Sequence, residues 1–338
     1  MPKSGSQCWL CDLPVRYDTY EGCTHDCKYC FVRRKNSLEV RKGESVESLK
    51  RFISGERNKL TSFCDWNIPL HWGGMSDPFQ PCEKEYGRSL EALKVFVETG
   101  YPVVISTKGK LCIEEPYLSL IGQADCVMQI SMICRKYDVL EKGASTFAER
   151  LRMLEKLSGK AKRVIVRCQP YVHDVFGDVY ENIPKFARSG AYGVIFEGMK
   201  FAKRKEGLVK RGGDWVQPKE LLREDFLRFR ERCHEYGMKF YSGENCLRTM
   251  GDSLTCCGTD GLENFRPNFY NLNHILNGET PEPSEAQLKT GTAECFRAIN
   301  QSTSWGHFLK EHSFASVMNF LYHQKKNYID SVMKGEKR

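Results

Sequence analysis

From about residue 64 to 243 the chain alternates apolar, β-branched runs with amphipathic segments of helical period, and this constrains its fold more than any other feature. IPLHW (68–72), PVVIST (102–107), CVMQISMI (126–133), RVIVRCQPYV (163–172), YGVIFEG (192–198) and KFYSG (239–243) read as strands, with VRYDTY (15–20) as a first one. Pro170 reads as the end of its strand. Between them, 85–99 carries Leu90, Leu93 and Val97 at helical spacing before Gly100. A short helix is predicted over 114–121 and another near 179–189. Residues 145–157 put Phe147, Leu151 and Leu154 on one face, and 219–236 align Leu222, Phe226, Phe229 and Cys233 before Gly237. Strands separated by helices mean βαβ units, so the expected fold is α/β, a partial or complete parallel β/α barrel over residues 1–243. Reactive side chains in such folds gather on loops at the C-terminal ends of strands. Beyond 243 the alternation stops. Residues 244–338 are expected to form an irregular Cys-containing segment, a linker-like ETPEPSEAQ (279–287) and a helical C-terminal extension with a basic tail.

No stretch approaches the roughly 18–20 apolar residues of a membrane span. The N-terminal MPKSGSQCWLCDLPV lacks an apolar leader core, so a cytoplasmic location is expected. Sixteen cysteines in a chain of 338 residues do not suit a short secreted disulfide scaffold; reduced thiols, some of them metal ligands, fit better. Cys126, Cys168 and Cys233 fall on apolar strands or helix faces and are expected in the core. The net charge of +8 points to an anionic partner. Its excess is concentrated in Lys200, Lys203, Arg204, Lys205, Lys210 and Arg211, opposed by Glu206, and in Arg33, Arg34 and Lys35. These runs are either solvated loop faces or phosphate-contacting surfaces for a nucleic acid or nucleotide.

The strongest chemical signal is GCTHDCKYCF, which spaces Cys23, Cys27 and Cys30 as C-x3-C-x2-C just after the first strand. Three thiolates in one short loop can bind three irons of a [4Fe–4S] cubane and leave the fourth iron open for chemistry. The alternative is a zinc knuckle that takes a further ligand from Cys8, Cys11 or His25.

With Tyr29 before the third cysteine, the motif resembles the signature of the radical SAM superfamily. Within it the chain is similar to the spore photoproduct lyase-like branch. The likeness rests on YEGCTHDCKYCFVRR (20–34), HWGGMSDPFQPCE (71–83), VVISTKGKL (103–111) and VMQISM (127–132), and covers roughly residues 12–243. The resemblance implies a cluster on Cys23, Cys27 and Cys30 that binds S-adenosylmethionine (SAM). Reductive cleavage of SAM to a 5′-deoxyadenosyl radical and hydrogen abstraction from a substrate would follow. A reductant such as flavodoxin or ferredoxin is implied as a partner. Carried over by position, the segment Gly73, Gly74, Ser76 and Asp77 should bind the cofactor near the SAM amino group. Lys108 should face the SAM carboxylate, Ser131 the ribose, and Tyr29 and Phe31 the adenine. Glycines after a strand let backbone approach a ligand, and a lysine at a strand end suits a carboxylate. Where the branch's namesake carries a hydrogen-donating cysteine, this sequence has Gly74, so the resemblance carries the radical chemistry and not the substrate.

A second set of thiols, Cys246, Cys256 and Cys257, follows the last strand, and Cys8 and Cys11 precede the first. Cys246, Cys256 and Cys257 could bind a second iron–sulfur cluster or zinc. Tyr241, Cys246 and Cys257 are candidates to return a hydrogen atom to a substrate radical, and His173, Asp174 and Glu197 could line the site. Three readings remain: radical chemistry on a nucleic acid, nucleotide or related anionic molecule; the same chemistry on a small metabolite or peptide; and a zinc-stabilised nucleic-acid-binding protein that is not an enzyme.

Overall fold

A computed structural model describes residues 1–4, 10–32, 39–58, 61, 67–211, 214–268, 271, 273, 274, 277 and 279. Cys8, the basic run at 33–35 and the expected linker and helical extension, apart from Glu279, lie outside the described residues.

Seven parallel strands form one sheet: β1 (Val15–Tyr17), β2 (Leu70–Trp72), β3 (Val103–Thr107), β4 (Cys126–Ser131), β5 (Arg163–Tyr171), β6 (Gly193–Gly198) and β7 (Lys239–Ser242). They are hydrogen-bonded in that order, and the two-residue strand Lys3–Ser4 adds to β1 antiparallel. Spatial order follows chain order because each crossover returns its strand beside the last. Among the described residues β1 and β7 do not pair, so the sheet is open: the partial form of the expected barrel.

The helices are α1 (Val46–Ile53), α2 (Glu83–Tyr86), α3 (Arg88–Thr99), α4 (Tyr117–Gln123), α5 (Phe147–Leu157), α6 (Phe176–Arg188) and α7 (Lys219–Glu235). Local chemistry sets several ends. Ser45 caps α1, and Thr146 with Glu149 forms a reciprocal capping box on α5. Two details differ from the sequence expectation. Gly87, at φ +62°, divides the predicted 85–99 helix into α2 and α3. Pro170 lies within β5, at a register irregularity between Cys168 and Tyr171 where its missing N–H costs no ladder bond.

Period-2 alternation sends the strands' side chains to two different places. Outward residues such as Val103, Ile105, Met128, Ile130, Val166 and Phe196 meet the helices in the main core, and Phe196 stacks on Phe229 of α7 at 4.4 Å between ring centroids. Cys126, Cys168 and Cys233 are fully buried there, as expected. Inward residues Val104, Val127, Ile165, Ile195 and Tyr241 form a second apolar layer with Leu13, Cys257 and Phe265.

This inner layer is covered by the segment beyond β7. Arg163 donates to the carbonyls of Gly258 (3.0 Å) and Asp260 (2.6 Å), and Asn264 donates to the Gly100 carbonyl (2.8 Å) and the Asp125 carboxylate (2.6 Å). These partners sit at the N-terminal ends of β3, β4 and β5, so the irregular segment forms a floor. Buried Asp12, just before β1, fastens it by accepting from Thr255, Asn268, Asn271 and His274. The opposite, C-terminal end of the sheet is where the cysteine loop lies.

Candidate active site

The loop from Gly22 to Cys30 is held by three neighbouring segments. From the turn after β2, Ser76 Oγ and Gln80 Nε2 donate to the Gly22 carbonyl, and Gln80 Oε1 accepts from the Thr24 amide at 3.0 Å. From the segment after β4, the Leu140 carbonyl accepts from the Lys28 amide at 2.8 Å, and the Gly143 amide donates to the His25 carbonyl at 3.1 Å. A Cβ on Gly143 would lie 2.3 Å from the Thr24 carbonyl oxygen, so only glycine permits this approach.

The third point of attachment is a buried ionic knot. Glu141 accepts from the Tyr29 hydroxyl and from the Arg150 guanidinium, with Lys108 Nζ 3.9 Å away. Arg150 also donates to the carbonyls of Ser131 (2.8 Å) and Ser145 (2.6 Å). Glu141 and Arg150 are 2% and 1% exposed, so neither charge is stable there without the other.

Within this frame Cys23, Cys27 and Cys30 are free thiols. Burial, with Asp77 nearby, pushes the Cys23 thiol up to about 12, while the backbone amides of Asp77 and His25 favour its thiolate. Burial also raises Cys27, against the opposing charge of Lys108. Metal coordination would replace the protons these thiols otherwise keep. Among the described residues no three His, Cys, Asp or Glu side chains are grouped as a metal site. Three thiols of one short loop, with backbone amides favouring the Cys23 thiolate, are the donor chemistry a cubane uses, one thiolate on each of three irons.

The residues expected to contact SAM lie in the loop and at the C-terminal ends of β2, β3 and β4. Gly73, at φ +91°, packs so tightly that a Cβ would lie 2.1 Å from the Ser106 carbonyl oxygen, and Gly74 lies over the His71 ring. Ser131 ends β4 on the inward face. Lys108 follows β3, its ammonium 5.8 Å from the Tyr29 ring centre. Phe31 stands 59% exposed. Asp77 braces the surrounding turns, since its carboxylate accepts from Thr107 Oγ1 (2.7 Å), the Lys108 amide (2.6 Å) and the Phe79 amide (2.9 Å).

The second thiol set does not assemble. Cys246 lies beyond the C-terminal end of β7, where Arg211 donates to its sulfur at 3.1 Å. Cys256 and Cys257 belong to the floor, beside Cys11. Tyr241 and Cys257 are buried in the inner layer, with the Tyr241 hydroxyl donating to Asp260 at 2.7 Å. Of the three expected hydrogen-return groups, only Cys246 is at the loop's end of the sheet. His173 pairs with Asp225 at 2.8 Å, where Tyr171 also donates.

Sequence reasoning missed Glu141 and Arg150, and it missed a polar row on the inward face. His71 Nε2 meets Ser106 Oγ at 2.9 Å, Ser106 donates to Gln129 Oε1 at 2.9 Å, and Arg167 donates to the same oxygen at 2.8 Å. Glu197 lies 4.0 Å beyond Arg167. Burial and the charges of Arg167 and Arg16 hold the His71 imidazole neutral, its pKa lowered to about 3. A cavity of about 250 Å³ opens between Lys28, Tyr29 and Cys30 and the segment from Met199 to Ala202, just after β6.

The structure is an open parallel β/α sheet with a three-cysteine loop at the C-terminal end of its strands. Among solved structures, a spore photoproduct lyase mutant with dinucleoside spore photoproduct matches with a TM-score of 0.58 at 15% identity, covering 72% of this chain and 78% of that one. A second mutant, with bound AdoMet and dinucleoside spore photoproduct, matches with a TM-score of 0.55 at 16% identity over 68% of this chain and 76% of that one. At these identities the likeness establishes a shared fold. No family model matches the chain. Uncharacterized proteins of Mycobacterium tuberculosis and Mycobacterium bovis are 25% identical over 204 residues, 55% of this chain. The match spans 59% of the length of those relatives. Among the described residues no helix is long and apolar enough to cross a membrane.

Proposed function

We propose that this chain is a radical SAM enzyme acting on a nucleic acid or nucleotide, with a [4Fe–4S] cluster on Cys23, Cys27 and Cys30. The observation that carries the reading is the clamped cysteine loop at the mouth of the sheet, with Lys108 beside Cys27 and the Gly73–Gly74 turn alongside. When bound, the cluster supplies the electron that cleaves SAM to methionine and a 5′-deoxyadenosyl radical. The chain's own residues bind and orient. Lys108 gives a fixed cation for the SAM carboxylate, and Gly73 and Gly74 allow close backbone approach. The turn held by Asp77 keeps these groups in register with the loop. Buried Cys27 and partly buried Tyr29 would limit water at the cluster. A small electron-transfer protein such as flavodoxin or ferredoxin would supply the electron.

The substrate class is supported by the basic segment after β6. Strands Val209–Arg211 and Asp214–Val216 pair antiparallel, and Phe201 bridges to Trp215. Lys203, Arg204 and Lys205 are exposed on this arm, with Arg204 over the Trp215 ring and Lys205 over Phe201. Exposed cations beside aromatic rings suit a phosphate backbone with adjoining bases. The dinucleoside spore photoproduct held by the similar lyase structure points the same way.

The test is anaerobic reconstitution with iron and sulfide, then addition of reductant and SAM to wild type and Cys27→Ala. 5′-Deoxyadenosine from the wild type alone supports the reading. A wild type that takes up no iron overturns it.

A further inference from the structure

The carboxylates that hold the frame together are saturated. Glu83 accepts from the amides of Ser89 (2.8 Å) and Leu90 (2.9 Å) and from the Tyr117 hydroxyl (2.9 Å), besides Tyr20. Asp77 and Glu141 are equally occupied. At the mouth the pattern changes. Glu197 Oε1 lies 3.5 Å from Lys200 Nζ and Glu197 Oε2 lies 4.0 Å from Arg167 Nη2. Both distances exceed the roughly 2.7–3.2 Å of a well-made hydrogen bond. Arg167 is held by Gln169 and Gln129 through Nε and Nη1, which leaves Nη2 turned toward Glu197.

Glu244, just past β7, is fixed by the Gly198 amide at 2.8 Å. The two glutamates cross over each other's strand ends. A Cβ on Gly198 would lie 3.0 Å from Glu244 Oε1, and one on Gly243 would lie 2.8 Å from Glu197 Cβ. Glycine at both positions therefore brings two carboxyl groups together beside two cations. Lys200 also lines the 250 Å³ cavity, opposite Lys28 and Cys30.

We propose that Arg167, Glu197, Lys200 and Glu244 form the substrate-recognition site, and that it takes a phosphorylated nucleoside, with a phosphate oxygen on Lys200 and a hydroxyl or N–H donor on Glu197. This rests on the radical SAM reading and names the residues that would hold its substrate. The charges select the ligand class. Of the two lysines on the cavity, Lys28 pairs with Asp26 at 2.8 Å, so Lys200 is the one to take an anion, and Glu197 3.5 Å from it favours a donor in the same molecule. A nucleotide carries both within one sugar's length. An amine without an anion would leave Lys200 unanswered, and an anion without a donor would leave Glu197 unanswered.

The experiment uses the reconstituted protein and dinucleotides of each base, in ribo and deoxy form, with affinity read by equilibrium dialysis. Glu197→Gln and Lys200→Gln should each weaken dinucleotide binding about tenfold, the loss of one charge-assisted hydrogen bond, while Lys200→Arg retains it. Iron content, SAM affinity and melting temperature should stay at wild-type values. Unchanged dinucleotide affinity in both Gln variants overturns the assignment. So does a loss of SAM affinity, which would give these residues to the cofactor. A wild type that forms 5′-deoxyadenosine yet binds no dinucleotide refutes the ligand class and spares the radical chemistry; a wild type that forms none refutes the radical reading itself.

Discussion

The Lys108 amide donates to the Asp77 carboxylate at 2.6 Å, which joins the turn after β2 to the turn after β3. His25 Nδ1 lies 3.4 Å from the same carboxylate, so the cysteine loop is tied to that joint as well. An acidic residue after a glycine turn looks from sequence like a ligand contact. Here it sets where Lys108 and the loop stand relative to each other.

Asp77→Ala should therefore act on stability and cofactor affinity together. It leaves the Lys108 and Phe79 amides without their acceptor, at about 1–3 kcal/mol for each buried donor that finds no substitute. Thermal melting of the iron-free protein should fall, and SAM should bind more weakly to reconstituted protein because Lys108 loses its fixed position. A variant that melts normally and binds SAM normally would remove Asp77 from this role.

Glu141 makes the corresponding prediction for the loop itself. Removing one member of a buried ion pair costs about 3–5 kcal/mol because the other charge is left behind, so Glu141→Ala should strongly destabilise the protein in urea. It also frees Tyr29. Cys27 and Cys30 in the iron-free variant should then react with iodoacetamide faster than in wild type, read by mass spectrometry under native conditions. Equal alkylation rates would mean that the loop keeps its shape without the knot. Glu141→Gln retains an acceptor for Tyr29 and should lie between the two.

The parallel sheet was legible because its signal is periodic: six of the seven strands sit inside runs whose β-branched residues also face helices. The cysteine loop was legible because its spacing is local. The Glu141–Arg150 knot was not, since nothing within the segment after β4 says which distant loop it will meet. Cys246, Cys256 and Cys257 misled for the same reason: sequence closeness suggested one site, but the chain crosses from the mouth at Cys246 to the floor at Cys257. The inward row was readable in principle. His71, Ser106, Gln129, Arg167 and Glu197 are polar residues at alternate positions of otherwise apolar strands, a period-2 signal.

His71 gives that row a pH dependence. Its folded pKa, about 3, lies below the ordinary value of 6.5, so the unfolded chain takes up a proton that the folded chain refuses. The contribution is fully present above pH 6.5 and is lost as pH falls toward 3. The charges facing the ring are Arg167 from β5 and Arg16 from β1, and both oppose protonation. His71→Gln can still meet Ser106 and does not titrate. Wild type should lose stability to urea more steeply than the variant between pH 6 and 4, and parallel pH profiles would show that His71 does not set this dependence.

The basic arm after β6 separates the substrate classes through salt. Each phosphate neutralised by a lysine or arginine releases counterions, and the slope of log K against log salt is about −0.7 for each single-strand phosphate engaged. Lys203, Arg204 and Lys205 are exposed, and two of them lie over aromatic rings where a base can stack. Replacing all three with Ala should weaken binding of a single-stranded oligonucleotide at low salt and reduce the slope by up to about 2, near 0.7 for each phosphate no longer neutralised. Stacking on Trp215 is insensitive to salt, so Trp215→Ala should lower affinity and leave the slope unchanged. A wild type whose oligonucleotide binding is weak and indifferent to salt would turn the same cavity toward a metabolite or peptide, because neither would need the arm's charge.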